Sequence, residues 1–197
     1  MGCGVFSLER KEAKASHSQP VPLDVEIKLA NATVDALRAH YDTIVILRGN
    51  HEMRLLRTLD TMVSMENLLK AGPEEGVYFS NYAYCLLETP TGTYRATHPK
   101  SYSRVKGSVA NAMADKHTGQ SVINFHGHFQ SQGVSKDGKR ACIDCGCMVN
   151  PHTIDYLMLE DATYPFWNVS FGALVDGVWL TRSKLPHLDN LGWYMGR

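Results

Sequence analysis

The sequence has no apolar run near the roughly 20 residues that a helix needs to cross a bilayer, and its N-terminus lacks the basic start and long apolar core of a secretory signal. Neither a membrane span nor export is supported, and the expected location is the cytoplasm. Charge of one sign is also missing. Lys plus Arg and Asp plus Glu each number 20, so the whole-molecule balance carries no footprint for nucleic acid or an anionic membrane. Met1-Gly2 invites N-myristoylation, but Phe6 stands where that motif wants Ser or Thr. There is no internal repeat and no low-complexity segment. Cysteines are few and odd in number, 5 in all, which with no secretory signal argues for reduced thiols rather than a disulfide framework.

What remains is an ordinary globular composition. With 197 residues, 44% apolar and 20% charged, the chain is long enough for one domain, residues 1–197, with a core of its own. The polar stretch 9–22, with two prolines, reads as a mobile loop. Ile27, Ala30, Val34, Leu37 and Tyr41 recur at helical spacing between Pro22 and Asp42, with Asp24 and Glu26 near the helix N-terminus. Thr43–Leu47 is a β-branched core strand. Leu55, Leu56, Leu59, Met62, Val63, Glu66 and Leu69 predict one helix, stopped by Gly72-Pro73.

Further on, Tyr82–Glu88 and Tyr94–Thr97 flank Thr89-Pro90-Thr91-Gly92 as a hairpin. Residues Val105–His117 are moderately helical, weakened by Gly107, and Ser121–Phe125 returns as a strand. The last third is β-rich. Asp137-Gly138 and Asp176-Gly177 each sit between strand-like halves, the strongest short hairpin signal. The expected class is α/β. Cys142, Cys145 and Cys147 fall in the first of these hairpins and begin as small core residues. Cys142-Ile143-Asp144-Cys145 could hold half a zinc site or act in redox exchange, but a tetrahedral structural zinc wants four ligands, of which Cys147 is a third and His152 a conceivable fourth at a looser spacing than usual.

The stretch that carries chemistry is Arg48-Gly49-Asn50-His51-Glu52, directly after the apolar run ending at Leu47. An amide oxygen and an imidazole thus sit where a buried strand ends, and ligands gather at such ends in open α/β sheets. An ordinary strand-to-helix turn with Asn50 as helix cap would account for the Asn-His pair alone. Two later histidines sit in the same kind of place. His98 closes the run Tyr94–Thr97, and His128 follows Val122-Ile123-Asn124-Phe125-His126-Gly127. Imidazole suits zinc, iron and nickel, and an Asn carbonyl tolerates harder ions such as manganese.

On these residues the chain resembles the calcineurin-like metallophosphoesterases, in their phage-type form. Gly49-Asn50-His51-Glu52 matches that family's third motif, Gly-Asn-His-Asp/Glu, and Arg48 before it is the form of the Ser/Thr protein phosphatase branch. The resemblance implies that Asn50, His98 and His128 hold a divalent metal ion, that His51 protonates the leaving alcohol, and that Arg48 grips phosphate. It implies a two-sheet sandwich flanked by helices, of which this chain would be the second half. The likeness runs unevenly from about Phe6 to Trp179, through an Asp-x-Gly-Cys-Met segment and Trp167-Asn168-Val169-Ser170-Phe171-Gly172.

The departures lie upstream. The family's Asp-x-His and Gly-Asp-x-x-Asp motifs supply the first metal's ligands and the bridging carboxylate. None of the 16 glycines here is followed by Asp, and the one Asp-x-His, Asp115-Lys116-His117, lies between the fourth and fifth motifs. Gly4 and Ser7 stand where aspartates belong, and Gln130 replaces the second His of Gly-His-x-His. The expectation is an N-terminally truncated member with one metal site out of two.

Two function classes follow. One is a metal-dependent phosphoester hydrolase using Mn, Fe, Zn or Ni on a phosphorylated substrate, in the host cytoplasm if phage-encoded. The other is a non-catalytic remnant, or a split-gene product whose missing aspartates come from a separate polypeptide. A thiol or zinc protein centred on Cys142, Cys145 and Cys147 is a third class.

Overall fold

A computed structural model describes residues 22–59, 63–148 and 167–183. The helical spacing after Pro22 becomes α1 (Leu23–Arg38), which buries Ala30 and Val34. It ends before Tyr41, which is exposed. The apolar run becomes β1 (Ile44–Leu47), paired in parallel with β2 (Val77–Ser80). Between them the single helix expected from Leu55 to Leu69 is two: α2 (Asn50–Thr58) and α3 (Met65–Leu69). Ser64 starts the second one, its Oγ accepting from Asn67 N at 3.2 Å, so a local cap overrides the continuous apolar stripe. Met62 lies outside the described residues. The stripe still forms one core: Leu55, Leu56, Met65 and Leu69 pack with Ala30, Val34 and Val77.

A second sheet has five strands in the order β3-β4-β5-β7-β6. The Pro-Thr-Gly hairpin gives β3 (Tyr84–Thr89) and β4 (Gly92–Thr97). The Asp137-Gly138 hairpin gives β6 (Gln130–Val134) and β7 (Ala141–Cys145). Between these antiparallel edges, β4, β5 (Gln120–Asn124) and β7 run parallel. Alternation along the two central strands divides the faces. Val122 and Cys142 meet Ala110 and Ala114 of α4 (Ser108–Lys116), while Ile123, Ile143 and Cys145 pack with Tyr94, Leu174 and Trp179. The last two belong to the hairpin β8 (Ser170–Val175) and β9 (Val178–Ser183). Its turn has Asp176 at φ 50° and Gly177 at φ 77°, the doubly left-handed geometry for which Asp-Gly is suited.

The architecture is mixed α/β, with a five-stranded mixed sheet and flanking helices. The cysteines behave as core atoms: Cys142, Cys145 and Cys147 are buried and unbridged. Burial pushes the Cys142 and Cys145 thiols up, away from the reactive thiolate. The stretch 9–21 and His152 lie outside the described residues. Among the described residues, no helix is long and apolar enough to cross a membrane.

Candidate metal centre

Three strand ends converge between the two sheets. After β1 the chain turns at Gly49, the N-cap of α2, whose N–H donates to Glu52 Oε2 at 2.9 Å. The cap is therefore Gly49 rather than Asn50. Asn50 is the first residue of the helix, and its side chain is released to face the second sheet. There it meets His98, at the end of β4: His98 Nε2 lies 3.0 Å from Asn50 Oδ1. A Cβ at Gly49 would lie 2.6 Å from Glu52 Oε2 and 3.3 Å from the His98 ring, so the close approach of α2 to His98 needs glycine there.

The third element is the loop after β5. His126 Nδ1 is 3.0 Å from the same His98 Nε2, with the two rings edge to face at 4.8 Å. His98 Nε2 carries either one proton or one lone pair, yet it faces both the Asn50 carbonyl oxygen and His126 Nδ1, so in the tautomer that leaves His126 Nδ1 unprotonated one proton is shared between two acceptors. A cation would satisfy all three atoms together. Two donors about 2.1 Å from one ion and at right angles to each other are about 3.0 Å apart, the spacing found here. In this respect the residues fit a divalent metal ion.

The electrostatics agree. Burial first, then the charges of His126, His128 and His51, hold His98 down at about 3. Burial, His126 and His51 hold His128 at about 4. Burial and His51 push His126 down as well. All three imidazoles are thus neutral near pH 7, the form in which a ring nitrogen can ligate. Among the described residues, the charges that bear on His98 are those of other histidines, with no carboxylate among them. Among the described residues, no group of three or more His, Cys, Asp and Glu side chains is placed to hold a metal ion. The trio described above contains two histidines and an amide, which is a weaker set.

The sequence-predicted residues divide accordingly. Asn50 and His98 are in direct contact. His128 stands one ring further out, 6.4 Å from the His126 ring and edge-on to Trp167 at 4.2 Å. Its backbone is left-handed, at φ 57°, which costs a non-glycine residue energy. His51 is half-buried, and its charge reaches all three of the other histidines. Arg48 is half-buried and donates through Nη2 to Asn81 Oδ1 at 2.8 Å, which directs its fork towards the end of β2. Its Nε is buried without a hydrogen-bond partner. Tyr102 is exposed with its ring 6.0 Å from that of His126, while Arg104 and Lys106 face solvent.

His126 is the contact that sequence reasoning did not assign. The only signal was its place two residues before His128, which does not say which ring turns inward. Gln130, the residue in place of a second histidine, lines a groove of about 490 Å³ with Gln132, Trp179, Leu180 and Thr181. Among the described residues, the side chains that line that groove carry no titratable group. Comparison with protein-family models, with curated proteins and with solved structures gives no match to this chain.

Proposed function

We propose that this chain is a metal-dependent phosphoester hydrolase of the calcineurin-like metallophosphoesterase type, built around a single cation site. The observation that carries the reading is the meeting of Asn50 Oδ1, His98 Nε2 and His126 Nδ1 at successive 3.0 Å separations, from three strand ends and two sheets. The two sheets, β1-β2 and the five-stranded one, are then the halves of the family's sandwich.

Asn50, His98 and His126 hold the ion, with His128 the next donor in reach of the loop. A divalent cation supplies Lewis acidity towards a phosphoryl group and a more acidic water. Because all the donors are neutral, the ion keeps its double charge, and an anionic ligand such as a phosphate ester is the natural complement. His51, beside Asn50 on α2, donates a proton to the leaving oxygen. Arg48 orients phosphate if its fork exchanges Asn81 for the substrate.

That no carboxylate of the described residues is among the charges that bear on His98 favours a second reading, in which the chain is a remnant or half-enzyme. Among the described residues β1 has a strand on one edge only. A separate polypeptide that adds a strand there would bring its own acidic ligands to the end of β1. The test is Mn²⁺ titration by calorimetry together with turnover of an aryl phosphate, beside Asn50→Ala. Binding and turnover that both fall in Asn50→Ala are expected. Turnover absent with Mn²⁺, Zn²⁺, Fe²⁺ and Ni²⁺ would refute independent hydrolysis, and absence of binding would refute the metal centre itself.

A further inference from the structure

The two loops that bring His98 and His126 together are tied to one side chain that touches neither ring. Asp144 is the last but one residue of β7, on the face that carries Cys142, and it is 3% exposed. Its Oδ2 accepts from Gly107 N at 2.6 Å and from Ser131 Oγ at 3.3 Å. Its Oδ1 accepts from Asn124 Nδ2 at 2.7 Å, and Asn124, in register with it on β5, is 1% exposed. Asn124 Oδ1 in turn accepts from His126 N at 3.0 Å. Gly107 closes the loop that leaves His98, and its φ of 76° starts α4. One carboxylate thus reaches both histidine loops, one directly and one through an amide.

We propose that Asp144 is a positioning residue: by holding Gly107 and, through Asn124, His126, it sets the contact between the His98 and His126 imidazoles. Only the cation-affinity part of the test rests on the function proposed above. The chain of bonds has a polarity that makes the role testable. Each end is a backbone N–H, which can only donate, so both side chains must present an acceptor outwards. Between them, one must donate and the other accept. Asp with Asn satisfies this, and so does the exchange of the two. Two asparagines do not: wherever the amides turn, one N–H faces another. A buried unsatisfied donor is costly and is relieved by movement of a loop.

The variants follow from that rule. Asp144→Asn breaks the chain at one point with no change of shape. The exchange Asn124→Asp with Asp144→Asn restores every bond, because the carboxylate, now on β5, would accept from His126 N and from the new amide on β7, whose oxygen accepts from Gly107 N. The measurements are the cross-relaxation between the His98 and His126 ring protons by NMR in metal-free protein, and Mn²⁺ affinity by calorimetry. In Asp144→Asn the ring contact should weaken and Mn²⁺ affinity should fall about tenfold or more, the usual size for a residue behind a ligand, while the exchange recovers both.

A ring contact and an affinity that stay within about twofold of wild type in folded Asp144→Asn would overturn the proposal. So would a folded exchange variant no better than the single one, since a role in packing alone is indifferent to which strand carries the carboxylate. If the single variant does not fold and the exchange does, the polarity argument stands. If neither folds, amide hydrogen exchange in the wild-type chain decides: slow exchange at Gly107 and His126 supports the bonds, and exchange as fast as in exposed loops overturns them. A wild type that binds no Mn²⁺ defeats the metal centre and leaves the ring contact to judge Asp144.

Discussion

Acid should unfold this protein in a way that one histidine makes measurable. His98 is 7% exposed, and burial with its histidine neighbours holds it at about 3 against the ordinary 6.5. A lowered value means that the fold favours the neutral ring. The unfolded chain takes up a proton near pH 6.5 that the folded chain refuses until near 3, so the stability is fully present above 6.5 and is lost as pH falls through that window. At pH 5 the difference spans about 1.5 pH units at about 1.36 kcal/mol each, so His98 alone should cost about 2 kcal/mol relative to pH 7.5.

The assay is urea unfolding at both pH values with EDTA present, for wild type and for His98→Asn, which has nothing to titrate at that position. The substitution also removes contacts, but that loss is the same at both pH values and cancels in the difference. The shift of His128 comes from burial, His126 and His51, so removing His98 leaves it in place. Wild type should therefore lose about 2 kcal/mol more than the variant between pH 7.5 and 5. Equal losses would mean that His98 is as solvated in the fold as in the unfolded chain, and the buried histidine cluster would be refuted.

Two other substitutions probe the same site from α2. His51→Ala should lower kcat on an aryl phosphate by about 10²–10⁴, the usual range for a lost proton donor, with little change in Mn²⁺ affinity; parallel losses would place His51 among the ligands instead. Gly49→Ala puts a methyl group 2.6 Å from Glu52 Oε2 and 3.3 Å from the His98 ring, so either the capping carboxylate or the ring must move. The expected cost is about 1–3 kcal/mol, read as a lower urea midpoint, and a midpoint equal to that of wild type would show that the approach of α2 to His98 is loose.

Much of the local structure was legible in the residues themselves. Both Asp-Gly hairpins, the Pro-Thr-Gly hairpin, α1 and β1 form where their turn chemistry and spacing place them, because a turn or an amphipathic period is decided by neighbours a few positions apart. That Asn50 and His98 sit at strand ends was equally readable. The break between α2 and α3 was not, since the apolar stripe continues past it and only the Ser64 cap marks the second start.

What the tertiary structure alone decided is which atoms meet. The parallel alignment of β4, β5 and β7 joins segments 20 and 27 residues apart, a distance that no local signal spans. That alignment brings Asn124 beside Asp144, and of the two neighbouring histidines it is His126 that meets His98, while the His128 ring stands 6.4 Å from that of His126. Residue types along a strand end name the donors that are available. The direction of each ring depends on a dihedral angle and on buried hydrogen bonds from distant strands, and those exist only once the sheet has formed.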